Sequence, residues 1–219
     1  VIGSFPSNAP NPDLGWESTQ KWNFGLDLEF VNRIKLTAEY YNNTVYNGIS
    51  SVAIPEENGF PTVIFNNGSM RNWGVEFTVS GQVITNENWR WNMNFNAAFN
   101  RNKVLDVPVE RILTQSAVGI REGEDVNTLY GVMYAGVDPY NGEPLYQLPS
   151  GEITDDRDEA YAIENRQPIG RSAPFISGGW TNSVSWKDIT FSVFFNYSYG
   201  GDFLLSEFYV SDGRQIAFL

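Results

Sequence analysis

Apolar and polar residues alternate along this chain in blocks of about 11 residues, the length of a membrane-crossing strand. The clearest block is residues 174–201, PFISGGWTNSVSWKDITFSVFFNYSYGG. It reads as two strands folded back through a tight turn at Lys187-Asp188. On the second strand Ile189, Phe191, Val193, Phe195, Tyr197 and Tyr199 share one face. Thr190, Ser192, Asn196 and Ser198 share the other, where Phe194 is the exception. Such alternation predicts a strand with one apolar and one wet face. The apolar face touches either a protein core or lipid.

The same pattern recurs upstream. Trp22, Phe24, Leu26, Leu28 and Phe30 alternate with Asn23, Gly25, Asp27 and Glu29. After a turn near Val31-Asn32, Ile34, Leu36, Ala38 and Tyr40 alternate with Arg33, Lys35, Thr37 and Glu39. Trp73, Val75, Phe77 and Val79 predict a third strand, with Glu76 on its polar face. Beyond a polar turn at Thr85–Asn88, Trp89, Trp91, Met93, Phe95, Ala97 and Phe99 predict a fourth, with Arg90, Asn92, Asn94, Asn96 and Asn100 opposite. Thr128–Asp138 reads as a further strand, although apolar residues fall on both of its faces. Asp138-Pro139-Tyr140-Asn141-Gly142 is a turn signal, and Pro144–Leu148 a short return strand. Residues 202–219 read as a loop or partial strand.

The connections have a rhythm. Long segments (1–15, 47–70, 102–127, 149–173) alternate with short turns (31–32, 85–88, 138–142, 187–188). In an up-and-down meander this gathers the short turns at one end and the long loops at the other, as in outer-membrane barrels with short periplasmic turns and long extracellular loops. Greek-key crossings of a soluble sandwich would spoil that order. Aromatic residues fall near strand ends: Trp89, Trp91, Trp186 and Phe30 by the short turns, Tyr40, Phe99, Tyr197 and Tyr199 towards the long loops. Aromatic girdles at both interfaces suit a lipid-facing barrel. The expected fold is therefore all-β, an antiparallel up-and-down transmembrane β-barrel with about eight strands in this stretch. A soluble extracellular β domain that binds carbohydrate is the alternative.

Composition narrows the chemistry. The chain has 219 residues, a formal charge of −12, no cysteine and no histidine. The acidic balance argues against nucleic acid as a partner. Without histidine or cysteine, Ser-His-Asp, Cys-His and zinc-finger sites cannot be built from this chain. No apolar run reaches the roughly 20 residues of a membrane helix. The start, Val1-Ile2-Gly3, carries no signal-peptide pattern, so the expectation is a processed chain or a piece of a longer one. Asp155, Asp156, Asp158 and Glu159 are the best carboxylate cluster for glycosidase chemistry or a cation, but a solvated acidic loop is the simpler reading.

Six stretches, in order, carry a resemblance: NPDLGWESTQKWNFGLDLEF (11–30), YYNNTVYNGI (40–49), NNGSMRNWGVEFTVS (66–80), FNAAFNRNKVLDV (95–107), REGEDVNTLYGVMYAGVDPYNGEPLY (121–146) and PIGRSAPFISGGWTNSVSWKDITFSVFFNYSYGGD (168–202). Together they resemble the C-terminal barrel region of SusC-like (RagA-type) TonB-dependent outer-membrane transporters of Bacteroidota. Relatives often carry an Asp-rich run after the position of Tyr146; here it reads LPSGEITDD, so no calcium loop is expected.

The resemblance implies that residues 1–219 are the C-terminal part of a larger barrel of about 22 strands, without the plug domain. It implies no catalysis and no cofactor or metal. It also implies active import of oligosaccharides or peptides, a SusD-like surface lipoprotein as partner, TonB engaged through the plug, and outer-membrane lipid around the wall. Phe60, Phe65, Tyr146 and Tyr161 are then candidate contacts for cargo or partner in extracellular loops. Tyr140 is set aside as part of a periplasmic turn. Asp27, Glu29, Arg33, Lys35, Glu39 and Glu76 are expected to face the lumen, lining the path or pairing across strands.

Overall fold

The computed structural model of the protein describes residues 9–55, 57, 59–107, 111–112 and 119–203. In chain order, β1 (Ser18–Phe30) returns as β2 (Ile34–Tyr46), β3 (Ile49–Ala53) and β4 (Thr62–Asn66) form a small hairpin, and β5 (Ser69–Thr85) returns as β6 (Trp89–Asp106). Short elements follow: β7 (Arg111–Ile112), β8 (Gly119–Ile120), β9 (Thr128–Gly131), β10 (Met133–Val137), β11 (Pro144–Gln147), β12 (Ile153–Thr154), helix α1 (Arg157–Tyr161) and β13 (Gln167–Arg171). Then come β14 (Ile176–Trp186) and β15 (Ile189–Tyr199). The chain divides into two compact units, Val1–Val109 with Ser177–Tyr197 and Glu110–Ile176 with Ser198–Leu219.

The first unit is built on a six-stranded antiparallel sheet in the order β1-β2-β5-β6-β14-β15. Its register carries the apolar row of each strand onto one face. Leu26 pairs with Ala38, Ala38 with Phe77, Phe77 with Ala97, and Ala97 with Gly178. One row away, Val79 pairs with Phe95 and Phe95 with Trp180, which stacks on Phe195 at 5.7 Å. Because the side-chain period is 2, one matched pair per neighbour sorts every residue of both strands. A one-residue slip would turn Asp27, Glu29 and Glu76 onto the apolar face.

Among the described residues no second layer covers that face. Phe24 is 60% exposed, Phe191 67% and Phe195 51%. In a sandwich these positions would be the core. A continuous apolar face of this size left open is what a barrel wall presents to lipid. At the short-turn end Trp89 opposes Trp186, ring centroids 6.2 Å apart, with the Lys187 ammonium 5.3 Å from the Trp186 ring. An indole pair topped by a cation suits the membrane–water boundary.

Three tight turns lie together at that end. Val31 and Asn32 adopt φ 53° and 52°, Lys187 φ 50°, and Asn86 Oδ1 accepts the Asn88 and Trp89 N–H groups at 3.0 and 2.8 Å. Left-handed turn residues match the right-handed twist of a hairpin. At the other end residues 9–17 strap the β3–β4 hairpin. Ala9 N–H donates to Thr62 O at 2.9 Å, Asn11 Nδ2 to Ile64 O at 3.0 Å, and Asn66 Nδ2 to Gly15 O and Asn47 O.

The structure corrects the sequence reading in three places. The strands expected at Thr128–Asp138 and Pro144–Leu148 do not join the long sheet, because β6 pairs directly with β14 from Trp89↔Trp186 to Ala98↔Ser177. Everything between is one connection, leaving β6 and entering β14 at the end opposite the short turns. The Asp138–Gly142 turn is the tip of the β10–β11 hairpin inside that connection, so the ground for setting Tyr140 aside falls away. Its side chain is fully out in solvent. Third, β2 and β6 run on past Tyr40 and Phe99 to Tyr46 and Asp106, so these two rings sit within the strands. Backbone pairing continues through polar residues such as Asn42 and Asn102, where periodicity no longer signals it. Residues 204–219, part of the expected final loop or partial strand, lie outside the described residues.

The second unit has its own small core. Leu129 and Tyr130 are both buried on β9, which explains why apolar residues fill both faces there. β9 pairs with β13, and β10, β11 and β12 form a three-stranded sheet. Arg171 Nε meets Asp125 Oδ2 at 2.6 Å, and Asp125 Oδ1 accepts Asn127 N–H and Nδ2, each at 2.8 Å. Burial pushes the Asp125 carboxyl up, but these hydrogen bonds and the guanidinium charge outweigh it and hold it below its usual 3.8.

Candidate functional site: the polar face of the long sheet

The polar face collects every residue expected to face a lumen from the strands. Asp27 and Glu29 on β1, Lys35 and Glu39 on β2, and Glu76 on β5 share it by register. Glu29 opposes Lys35, an opposite-charge cross-strand pair. Asp27 Oδ1 accepts the Thr37 hydroxyl at 2.6 Å. Glu39 lies directly opposite Glu76. Two like charges across a ladder are unfavourable, so this row is not built for stability. It leaves an electronegative band on the wall. Arg33 belongs to the first short turn. With Glu29, Lys35, Gln82, Asn92 and Ser183 it lines an open hollow of about 390 Å³ at the short-turn end.

The face is divided by charge. β1, β2 and β5 carry most of the ions, and β6 adds Arg90 opposite Ser185 at the short-turn end. From Asn92 to Asn102 on β6, and from Ser177 to Ser185 on β14, the inward positions are amides, hydroxyls, Gly and Ala only. The β14–β15 hairpin continues this strip, with Ser185 and Thr190 hydroxyls 2.9 Å apart and Ser192 donating to Ser183 at 2.9 Å. The sequence reading placed these amides on a polar face without giving them a role. Two tyrosines fill spaces left by glycines on neighbouring strands: Tyr41, from β2, lies where a side chain on Gly74 would be, and Tyr197, from β15, lies over Gly178 on the apolar face and donates to Asn96 O at 2.8 Å.

The loop candidates separate. Phe65 sits on β4 opposite Ser50, and Phe60 in the connection between β3 and β4; both are half-buried. Tyr146 and Tyr161 come together in the second unit, edge-to-face at 5.8 Å, with the Arg157 guanidinium 5.3 Å from the Tyr161 ring. Tyr146 is 9% exposed, so its ring holds α1 onto β11 and offers no free face to cargo. The acidic cluster also has a structural use. Asp156 is the N-cap of α1, its Oδ1 accepting from Asp158 N–H at 2.9 Å and Glu159 N–H at 3.2 Å. Among the described residues no three acidic, His or Cys side chains gather as metal ligands.

Comparison with known proteins decides the family. Residues 2–215 match the family described as TonB dependent receptor-like, beta-barrel. The chain belongs to this family. It is 32% identical over 226 aligned residues to TonB-dependent receptor P3 of Formosa agariphila, covering 93% of this chain and 22% of that protein. It is 27% identical to TonB-dependent receptor SusC of Bacteroides thetaiotaomicron over 83% of this chain and 19% of that one. Among solved structures, the RagAB peptide transporter superposes with a TM-score of 0.75 at 28% identity, over 88% of this chain and 22% of that chain. The chain thus spans about a fifth to a quarter of the length of the relatives it matches. The six-stranded sheet is a segment of a larger TonB-dependent receptor barrel.

Proposed function

We propose that this chain is part of the wall of an outer-membrane importer that takes up oligosaccharides or peptides too large for passive pores. Residues 1–219 form a C-terminal portion of its barrel, with the short turns at the periplasm and the β3–β4 hairpin and the 107–175 connection at the cell exterior. A SusD-like surface lipoprotein is its partner, and TonB drives it through a plug that this stretch does not contribute. The observation that carries this reading is the sheet itself. Its strands of 11 to 18 residues are long enough to cross a bilayer with tilt, one face carrying a broad apolar band left uncovered among the described residues, the other mostly hydrophilic. The names of the relatives support the transport class, and RagAB is described as a peptide transporter.

The role is passage, not catalysis. Asp156 is engaged as the N-cap of α1, which accounts for its place in the cluster. The test is uptake by cells of the native host. Labelled oligosaccharide and peptide pools are offered to the parent strain, to a strain lacking the full-length receptor, and to one lacking TonB. Loss of the same cargo in both deletions is expected. Unchanged uptake in the receptor deletion would refute the proposal.

A further inference from the structure

Gly200, Gly201 and Asp202 leave the end of β15 in a sharp double turn. Both glycines take left-handed backbone, φ 78° and 91°, which any side chain would strain. A Cβ on Gly200 would also run into the Phe175 ring, and one on Gly201 would stand 3.1 Å from Ser172 O. The turn brings Asp202 back onto the end of β13. There its N–H donates to Arg171 O at 2.7 Å, and its Oδ2 accepts the Arg171 N–H at 2.8 Å. Gly170 makes the room: a Cβ there would stand 2.7 Å from Asp202 Oδ2. Beside the same turn Phe175 N–H donates to Tyr199 O at 2.9 Å.

Arg171 passes this grip on to a third stretch. Its Nε meets Asp125 Oδ2 at 2.6 Å, and its guanidinium lies 5.9 Å from the centre of the Phe175 ring. Next to it Ser172 N–H donates to Asn127 O at 2.9 Å. Residues 125–131, 167–175 and 199–202, all within the second unit, therefore meet around Arg171. Parting them gives up charge-assisted hydrogen bonds, a ladder and ring packing together. Segments that move in a working cycle are drawn from the regions with few such ties. We propose that Gly200-Gly201-Asp202 is a clasp that holds these three stretches as one body throughout import. The chain leaving β15 and the base of the 107–175 connection then stay fixed to each other, and any motion of that connection lies beyond the clasp. Its behaviour during uptake rests on the import reading; the clasp itself does not.

The test uses the full-length receptor. Hydrogen exchange, read by mass spectrometry on the detergent-purified protein, compares wild type with Asp202→Ala, Asp202→Asn and Gly170→Ala. Asp202→Ala is expected to speed exchange about tenfold in 125–131 as well as in 167–175, although both hydrogen bonds of Asp202 go to Arg171. Gly170→Ala displaces the carboxylate and is expected to do the same; Asp202→Asn keeps an acceptor oxygen and should stay within about threefold of wild type. No change, or faster exchange confined to 167–175, would make Asp202 a local cap and overturn the clasp. A second arm locks two of the stretches with Asn127→Cys and Ser172→Cys. These positions continue the β9–β13 register, where paired Cα atoms lie about 5 Å apart, within disulfide reach. Cells carrying the oxidised receptor are expected to take up labelled oligosaccharide and peptide pools as wild type does. A loss of uptake that reductant restores would show that the stretches part during import, and would overturn the proposal. If wild type imports neither pool, the import reading fails, while the exchange arm still judges the clasp.

Discussion

Phe195→Arg tests which face of the wall meets lipid. Phe195 is the seventh residue of the eleven in β15, on the apolar face, stacked on Trp180 at 5.7 Å. A guanidinium at that depth faces hydrocarbon, which costs about 2–4 kcal/mol on a barrel's lipid face. Losing the aromatic stack adds about 0.5–1.5 kcal/mol. The neighbouring residue, Asn196, lies at the same depth on the opposite face, and Asn196→Arg places the same charge in a wet lumen, for about 0–1 kcal/mol. Both variants of the full-length receptor would be folded into lipid vesicles and unfolded in urea, with tryptophan fluorescence and gel migration as readouts. The expected difference between the two is about 2 kcal/mol or more. Equal losses, or a larger loss for Asn196→Arg, would refute the assignment of faces and with it the lipid-facing wall.

Three further outcomes follow from the geometry. Gly74→Ala puts a Cβ against Phe99 O and the Tyr41 ring, and the overpacking is expected to destabilise the sheet by about 1–3 kcal/mol in the same unfolding assay. Val31→Asn keeps the tight turn but replaces a β-branched residue at φ 53° with one that tolerates it, so a gain of about 1 kcal/mol is expected; a loss would mean that the Val31 side chain has a partner. Asp125, held below its usual value of 3.8, contributes stability that is full above that pH and fades as pH falls through the lower folded-state value. Acid titration of protease resistance in the 107–175 connection should show a loss below about pH 4, and Asp125→Asn should remove that acid step and lower resistance at neutral pH.

Alternation made the wall legible. A strand's faces follow from parity, so the spacing of Asp27, Glu29, Lys35, Glu39 and Glu76 puts them on one polar face, and the register brings all five onto the same face of the sheet. The short turns were legible because polar breaks interrupt the alternation near 31, 86 and 187. The identity of β6's partner was not. The pairing Trp89↔Trp186 joins residues far apart in the chain, and a hairpin such as β10–β11 carries the same local signals whether it spans a bilayer or stays within a loop. The apolar filling of both faces at Leu129 and Tyr130 was the clue to a local core. Tyr146 shows the same limit at a candidate site: only packing reveals whether a loop tyrosine is a platform or, as here, a strut under α1.

By itself, then, the sequence determined the strand class, the two faces and the turns, because a period of 2 is a local property of the extended backbone. Tertiary structure alone decided three things. It left out the 128–148 hairpin from the wall, it set Glu39 against Glu76, and it seated Phe194 on Gly179 beside Asn96. Each depends on which strands lie side by side, and that choice is made by non-local pairing, where the side chains of one strand first meet those of another.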